Sequence, residues 1–200
     1  LSSAASDVYK RQPVKRVNDM LSEGMNKAEI FKAMESRYLC SEEKCDIAYK
    51  TAITQKPVLD ELEKDSFSLY VSVPFCPTRC SYCSFVSQSI EGCMKLIPEY
   101  VNKLCEEIVY TAKITEKLGL KLDTVYFGGG TPTTLTAAQL DRVMKVIENS
   151  FDMSTVREYT VEAGRPDTIT EEKLNVLKAN GCGRVSINPQ TLNDLSLIHI

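Results

Sequence analysis

Three cysteines, Cys76, Cys80 and Cys83, lie in the stretch FCPTRCSYC, separated by three residues and then by two. Thiols at such spacing can ligate one metal centre from a single loop. Zinc would want a fourth ligand. The one histidine is His199, and no other cysteine stands at a second knuckle spacing, which counts against zinc. An iron–sulfur cluster is the better claimant, because thiolates hold such clusters and short spacings let one loop wrap one cube. Three thiolates on a four-iron cube leave one iron without a protein ligand. That open iron can take a small molecule through an amine and a carboxylate.

Two further motifs carry possible chemistry. GGGTPT, residues 128–133, offers glycines that let the backbone approach a ligand closely, and Thr131 ahead of Pro132 adds a hydroxyl and a helix-like turn. Glu162, in VEAGRPD, is an acid on an otherwise apolar stretch. It must reach solvent, a ligand hydroxyl or a cation such as Arg165. Cys40, Cys45, Cys93, Cys105 and Cys182 have no partner spacing and read as packing residues or free thiols.

These residues need a frame. Strands are expected at LYVSVPF and at residues 123–127, 158–162 and 184–188. Helices are expected from Pro98 onward with Ile97, Val101, Leu104, Ile108 and Ala112 on one face, from a Thr136/Gln139 capping box to about residue 150, and over residues 170–180 before Gly181. Strands alternating with helices predict a parallel α/β sheet with right-handed crossovers. Chemistry then gathers at the C-terminal strand ends, where every motif above falls. Residues 13–65 read as an accessory helical segment: Asn26 and Glu29 form a capping box ahead of Ile30, Phe31 and Met34, Ser41 caps a second helix, and Pro57 is expected to stop it. A DNA-binding helix-turn-helix is the alternative for this pair, and its mixed charges favour a structural add-on.

The opening LSSAASDVYKRQ (1–12) and the closing LSLIHI (195–200) resemble translated sequencing-adapter scars, leaving 13–65 and 66–194 as the parts to interpret. The net charge of −3 without a basic block gives no reason to expect nucleic acid, and no apolar run approaches the roughly 20 residues that span a bilayer. Eight unevenly placed cysteines in a chain large enough to fold without staples read as reduced thiols, hence a cytoplasmic compartment.

The C-x3-C-x2-C loop resembles that of radical S-adenosylmethionine (SAM) enzymes. The resemblance implies a [4Fe–4S] cluster on Cys76, Cys80 and Cys83, and reductive cleavage of SAM to methionine and a 5′-deoxyadenosyl radical. It also implies cofactor contacts from Tyr70, from Tyr82 near the adenine, from Gly129, Gly130 and Thr131 to the methionyl amine, from Glu162 to the ribose, and from Gln190 to the carboxylate or ribose. For Tyr82 a packing role stays open.

SLYVSVPFCPTRCSYCSF, VYFGGGTPT, VEAGRPDTIT and SINPQTLND together are similar to the oxygen-independent coproporphyrinogen III oxidase group, in particular its coproporphyrinogen dehydrogenase branch. The implied fold is about four parallel strands of a six-stranded radical SAM barrel. Strand four would then be an uncovered edge, so the fragment by itself is expected to be inactive. The implied reaction is oxidative decarboxylation of a tetrapyrrole, with a reductant such as flavodoxin or ferredoxin and a monomeric intact protein. Better-characterised oxidases of this group carry a fourth cysteine where this chain has Phe85 and a histidine where it has Ser72. Related three-cysteine proteins include haem chaperones, so haem trafficking is the second reading, and a structural iron–sulfur domain the third.

Overall fold

The computed structural model describes residues 13–80, 83–85 and 87–188. It divides into two compact units, one ending at Lys64 and one beginning at Asp65.

The first unit contains α1 (Pro13–Ser22), α2 (Lys27–Tyr38) and α3 (Glu42–Asp60). Val17 and Met20, Ile30 and Met34, and Cys45, Ala48 and Ala52 bring one buried stripe from each helix into a small shared core. The capping box forms: Glu29 N donates to Asn26 Oδ1 at 3.1 Å and Asn26 N to Glu29 Oε2 at 2.8 Å. Ser41 accepts from Lys44 N. Pro57 does not stop α3, which runs on to Asp60. Pro57 lies in the last turn, where it removes one backbone bond, and the Lys56–Asp60 pair at 2.8 Å spans the same turn. Cys45 is core, and burial pushes its thiol pKa up.

The second unit is α/β. Strands β1 (Ser66–Val73), β4 (Lys121–Gly129), β5 (Glu158–Glu162) and β6 (Arg184–Ser186) form one sheet in the order β1-β4-β5-β6, every pair parallel. Short strands β2 (Phe75–Cys76) and β3 (Gln88–Ser89) pair beside it, and α4 (Ile90–Cys93) follows. Helices α5 (Ile97–Lys117), α6 (Ala137–Ser150) and α7 (Glu171–Ala179) make the crossovers. Strand alternation explains the layering. Val71, Val73, Val125, Phe127, Tyr159 and Val161 pack in the core that also takes Val101 and Ile108 of α5, Leu140 and Ile147 of α6, and Leu177 of α7. The alternate positions, Tyr70, Ser72, Tyr126, Thr160, Glu162 and Arg184, give the other face of the sheet a polar character.

The helix from residue 137 to 150 starts on the expected capping box, and β5 has the expected bounds. The fourth strand is shorter than expected, ending at Ser186. Tyr100 of α5 donates its hydroxyl to Ser72 O, tying that helix to β1, and burial pushes its pKa up to about 12. Among the described residues, no helix is long and apolar enough to cross a membrane.

Two packing details give tests. Arg157 grips Asp123 with Nε to Oδ1 at 2.6 Å and Nη2 to Oδ2 at 3.0 Å, and this holds the Asp123 pKa below the usual carboxylate value. A depressed folded-state pKa contributes stability that is present above the unfolded value near 3.9 and is lost as pH falls through the folded value. Asp123→Asn should therefore lower Tm at pH 7, and the gap to wild type should narrow progressively as the pH is taken down from the unfolded carboxylate value through the depressed folded one. Tyr159, by contrast, buries a hydroxyl that has no partner among the described residues. Tyr159→Phe removes an unpaired polar atom, so chemical denaturation should show unchanged stability or a gain of about 1 kcal/mol.

Candidate functional site

β1 runs through Pro74 into the cysteine loop, which forms one wall of a 350 Å³ cavity with Cys76, Cys80 and Cys83. The facing walls come from the C-terminal ends of the neighbouring strands: Gly129, Gly130 and Thr131 after β4, Glu162, Gly164 and Arg165 after β5, and Asn188 after β6. Tyr70 of β1 joins them. This volume lies within the range of small-molecule sites. A larger hollow of 610 Å³ lies near the start of β4, lined by Lys113, Glu116, Lys121, Asn149 and Asp152 among others. It gathers no thiol and no motif residue, so its size carries no chemistry.

The glycine turn is stitched to the cysteine loop. Gly130 N donates to Val73 O and Thr131 N to Phe75 O, both at 2.8 Å, and Thr134 Oγ1 adds a bond to Phe75 O at 3.3 Å. Gly129 has φ +109°, and a Cβ there would meet Ser72 Oγ at 2.9 Å. At Gly130 a Cβ would lie 2.7 Å from Phe75 O and 3.0 Å from Cys76 Sγ. Glycine is required by this approach and not merely by a turn. Thr131 is almost fully buried, and its Oγ1 lies 3.4 Å from Cys76 Sγ.

Glu162 accepts the Tyr126 hydroxyl at 2.5 Å, and that bond, with burial, pushes the Tyr126 pKa up to about 12. The Tyr126 ring stacks on Tyr70, centroids 5.8 Å apart and 10° from parallel. Burial, followed by the Glu162 charge, also raises the Tyr70 pKa. Arg165, buried at 5 % exposure, takes Asp167 through Nε and Nη2 at 3.1 Å each and reaches Thr78 Oγ1 with Nη1 at 2.9 Å. The cation beside Glu162 in sequence is thereby engaged with an acid of its own loop and with the cysteine loop. Lys173 likewise ties two strand-end loops, donating to Thr133 O at 2.6 Å and Thr168 O at 2.9 Å.

Of the residues singled out by sequence, Tyr70, Cys76, Cys80, Cys83, Gly129, Gly130, Thr131 and Glu162 share this cavity. Tyr82 and Gln190 lie outside the described residues. All eight cysteines are unpaired, and among the described residues no three acidic, cysteine or histidine side chains are drawn together as a metal-ligand set. Sequence reasoning missed Tyr126 and Thr78. The signal for Tyr126 was present, since a period of two puts it on the Gly128 face, opposite Tyr70 in the β1–β4 register.

Comparison with known proteins bears on this arrangement. The sequence pattern described as the Radical SAM superfamily matches residues 70–199. The oxygen-independent coproporphyrinogen-III oxidase-like protein HemZ of Bacillus subtilis (strain 168) is 38 % identical over 189 residues, covering 93 % of this chain and 38 % of that protein. The heme chaperone HemW of the same organism is 39 % identical over 131 residues, covering 64 % of this chain and 32 % of its own length. Among solved structures, coproporphyrinogen III oxidase (HemN) from Escherichia coli, a radical SAM enzyme, aligns with a TM-score of 0.59 at 30 % identity, over 72 % of this chain and 32 % of that one. The chain thus spans between about a third and two fifths of the length of these relatives. With the family pattern over most of its length and a parallel sheet like that of the HemN fold, the chain belongs to the radical SAM superfamily.

Proposed function

We propose that Cys76, Cys80 and Cys83 hold a [4Fe–4S] cluster with one iron left for SAM, and that the intact protein to which this chain belongs performs oxygen-independent oxidative decarboxylation of coproporphyrinogen III to protoporphyrinogen IX. One observation carries the reading: three thiols and the glycine turn line the same cavity, joined by hydrogen bonds between their loops. The fit is one of donor chemistry, since thiols form one wall and groups suited to an amino acid and a sugar form the others. Bound there, cluster and SAM would supply a 5′-deoxyadenosyl radical able to take a hydrogen atom from an unactivated carbon.

The chain's own residues would bind and orient. Gly129 and Gly130 leave backbone accessible to an ammonium group. Glu162 spends Oε1 on Tyr126, which fixes the carboxylate and leaves Oε2 for a ribose hydroxyl. Tyr70 offers a ring face at the cavity wall, and Tyr82 and Gln190 complete the contact set on sequence grounds alone. In the reaction each of two propionate side chains becomes a vinyl group with loss of carbon dioxide, a hydrogen atom and one electron. A flavodoxin or ferredoxin is the proposed electron source, and the cytoplasm the proposed compartment.

Haem trafficking is the second reading, favoured by the 39 % identity to a heme chaperone and by Phe85 in place of a fourth cysteine. The oxidase-like match is the broader of the two, extending into the helical first unit, while the chaperone match covers 64 % of the chain. Anaerobic turnover of the intact protein with SAM, a reductant and coproporphyrinogen III should yield protoporphyrinogen and 5′-deoxyadenosine together. Stoichiometric haem binding with no 5′-deoxyadenosine would replace this reading with the chaperone one.

A further inference from the structure

The Thr131 hydroxyl lies 3.4 Å from Cys76 Sγ, across 55 residues of sequence. Either atom could donate while Cys76 is a thiol. A thiolate has no proton, so with Cys76 deprotonated only the hydroxyl can be the donor. Thr131 is 2 % exposed, which removes bulk water as a competing partner, and among the described residues its hydroxyl has no other partner. Its place is also fixed by its own backbone: Thr131 N donates to Phe75 O at 2.8 Å, and the turn Pro132–Thr134 holds the residues that follow. The close approach exists because Gly130, the preceding residue, lacks a Cβ that would stand 3.0 Å from the same sulfur.

We infer that Thr131 is a positioning residue for the metal centre, donating a hydrogen bond to the Cys76 thiolate and setting the reduction potential of the cluster. The inference rests on the cluster assignment made above and adds a role to a residue that the family resemblance links only to the methionyl amine. The physical reason is electrostatic. Reduction adds negative charge to the cluster and its thiolates, and a donor aimed at one sulfur stabilises that charge more than the oxidised state. A buried donor does so without screening by water. The same residue would then link the turn facing the SAM amino acid to the electron-accepting centre, so that cofactor seating and ease of reduction depend on one side chain.

The test uses the full chain, reconstituted anaerobically with iron and sulfide, as wild type, Thr131→Val and Thr131→Ser. Valine keeps the shape and loses the hydroxyl; serine keeps the hydroxyl. Potentiometric titration followed by electron paramagnetic resonance should show a more negative midpoint potential for Thr131→Val, and return to the wild-type value in Thr131→Ser, at equal iron content. A structural role alone would perturb both variants or neither. If Thr131→Val takes up no iron, Thr131→Ala carries the same expectation of a negative shift. An unchanged potential in a fully loaded valine or alanine variant overturns the proposal. A Cys76→Ala chain that keeps a full cluster instead overturns the ligand assignment beneath it, which separates the two failures.

Discussion

Gly130→Ala should abolish retention of the cluster and weaken SAM binding by at least about tenfold, or about 1.4 kcal/mol, while the sheet stays folded. The new Cβ would sit 2.7 Å from Phe75 O and 3.0 Å from Cys76 Sγ. Neither can yield cheaply. Phe75 O already accepts from Thr131 N and Thr134 Oγ1, so moving it breaks the bonds that hold the two loops together. Moving the sulfur displaces a proposed cluster ligand. Overpacking of this kind typically costs about 1–3 kcal/mol, which a folded sheet can survive but an assembled site cannot. Gly92→Ala is the control, since no atom lies within 4 Å of its added Cβ. Iron content after reconstitution and calorimetric SAM binding give the readout. Wild-type values in Gly130→Ala would mean that the glycine turn does not bear on the cysteine loop.

The second large effect is expected from the cysteines taken one at a time. Cys80→Ala should remove the thiolate-to-iron absorption near about 400 nm, as should Cys76→Ala and Cys83→Ala, because no neighbouring thiol stands at cluster spacing. Cys93→Ala should leave it intact, since Cys93 packs at the edge of the second unit's core, away from the cavity wall. Cys45→Ala and Cys105→Ala should lower stability through lost packing and leave the cluster unaffected, because both thiols are buried in cores. Full absorption in Cys80→Ala would sink the assignment.

Much of this arrangement was legible because local chemistry and tertiary structure agree. Asn26 with Glu29 and Thr136 with Gln139 announced helix starts by satisfying orphan N–H groups, and both pairs do so in the fold. Residues 158–162 alternate apolar and polar side chains, and β5 has those bounds because one of its faces is core and the other polar. Parallel strands usually read as continuous apolar runs. The alternation here was therefore a hint that one face of the sheet serves a site. Pro57 misled because proline forbids one backbone bond, not a helix end, and α3 tolerates that loss in its final turn. Strands β2 and β3 are two residues each, too short for any period to register, yet their pairing places Cys76 beside Ser89. Tyr126 and Thr78 escaped notice because their roles exist only across strands, in bonds to Glu162 and Arg165 from distant parts of the chain.

The central claim is that three cysteines hold a four-iron cluster whose remaining iron receives SAM in this cavity. The most direct measurement is the electron paramagnetic resonance spectrum of the reconstituted, reduced chain with and without SAM. A [4Fe–4S] signal that changes when SAM is added is the predicted result, with the change lost in Gly130→Ala if that variant retains any cluster. A reduced cluster whose spectrum is indifferent to saturating SAM, or a chain that takes up zinc and no iron, would contradict it.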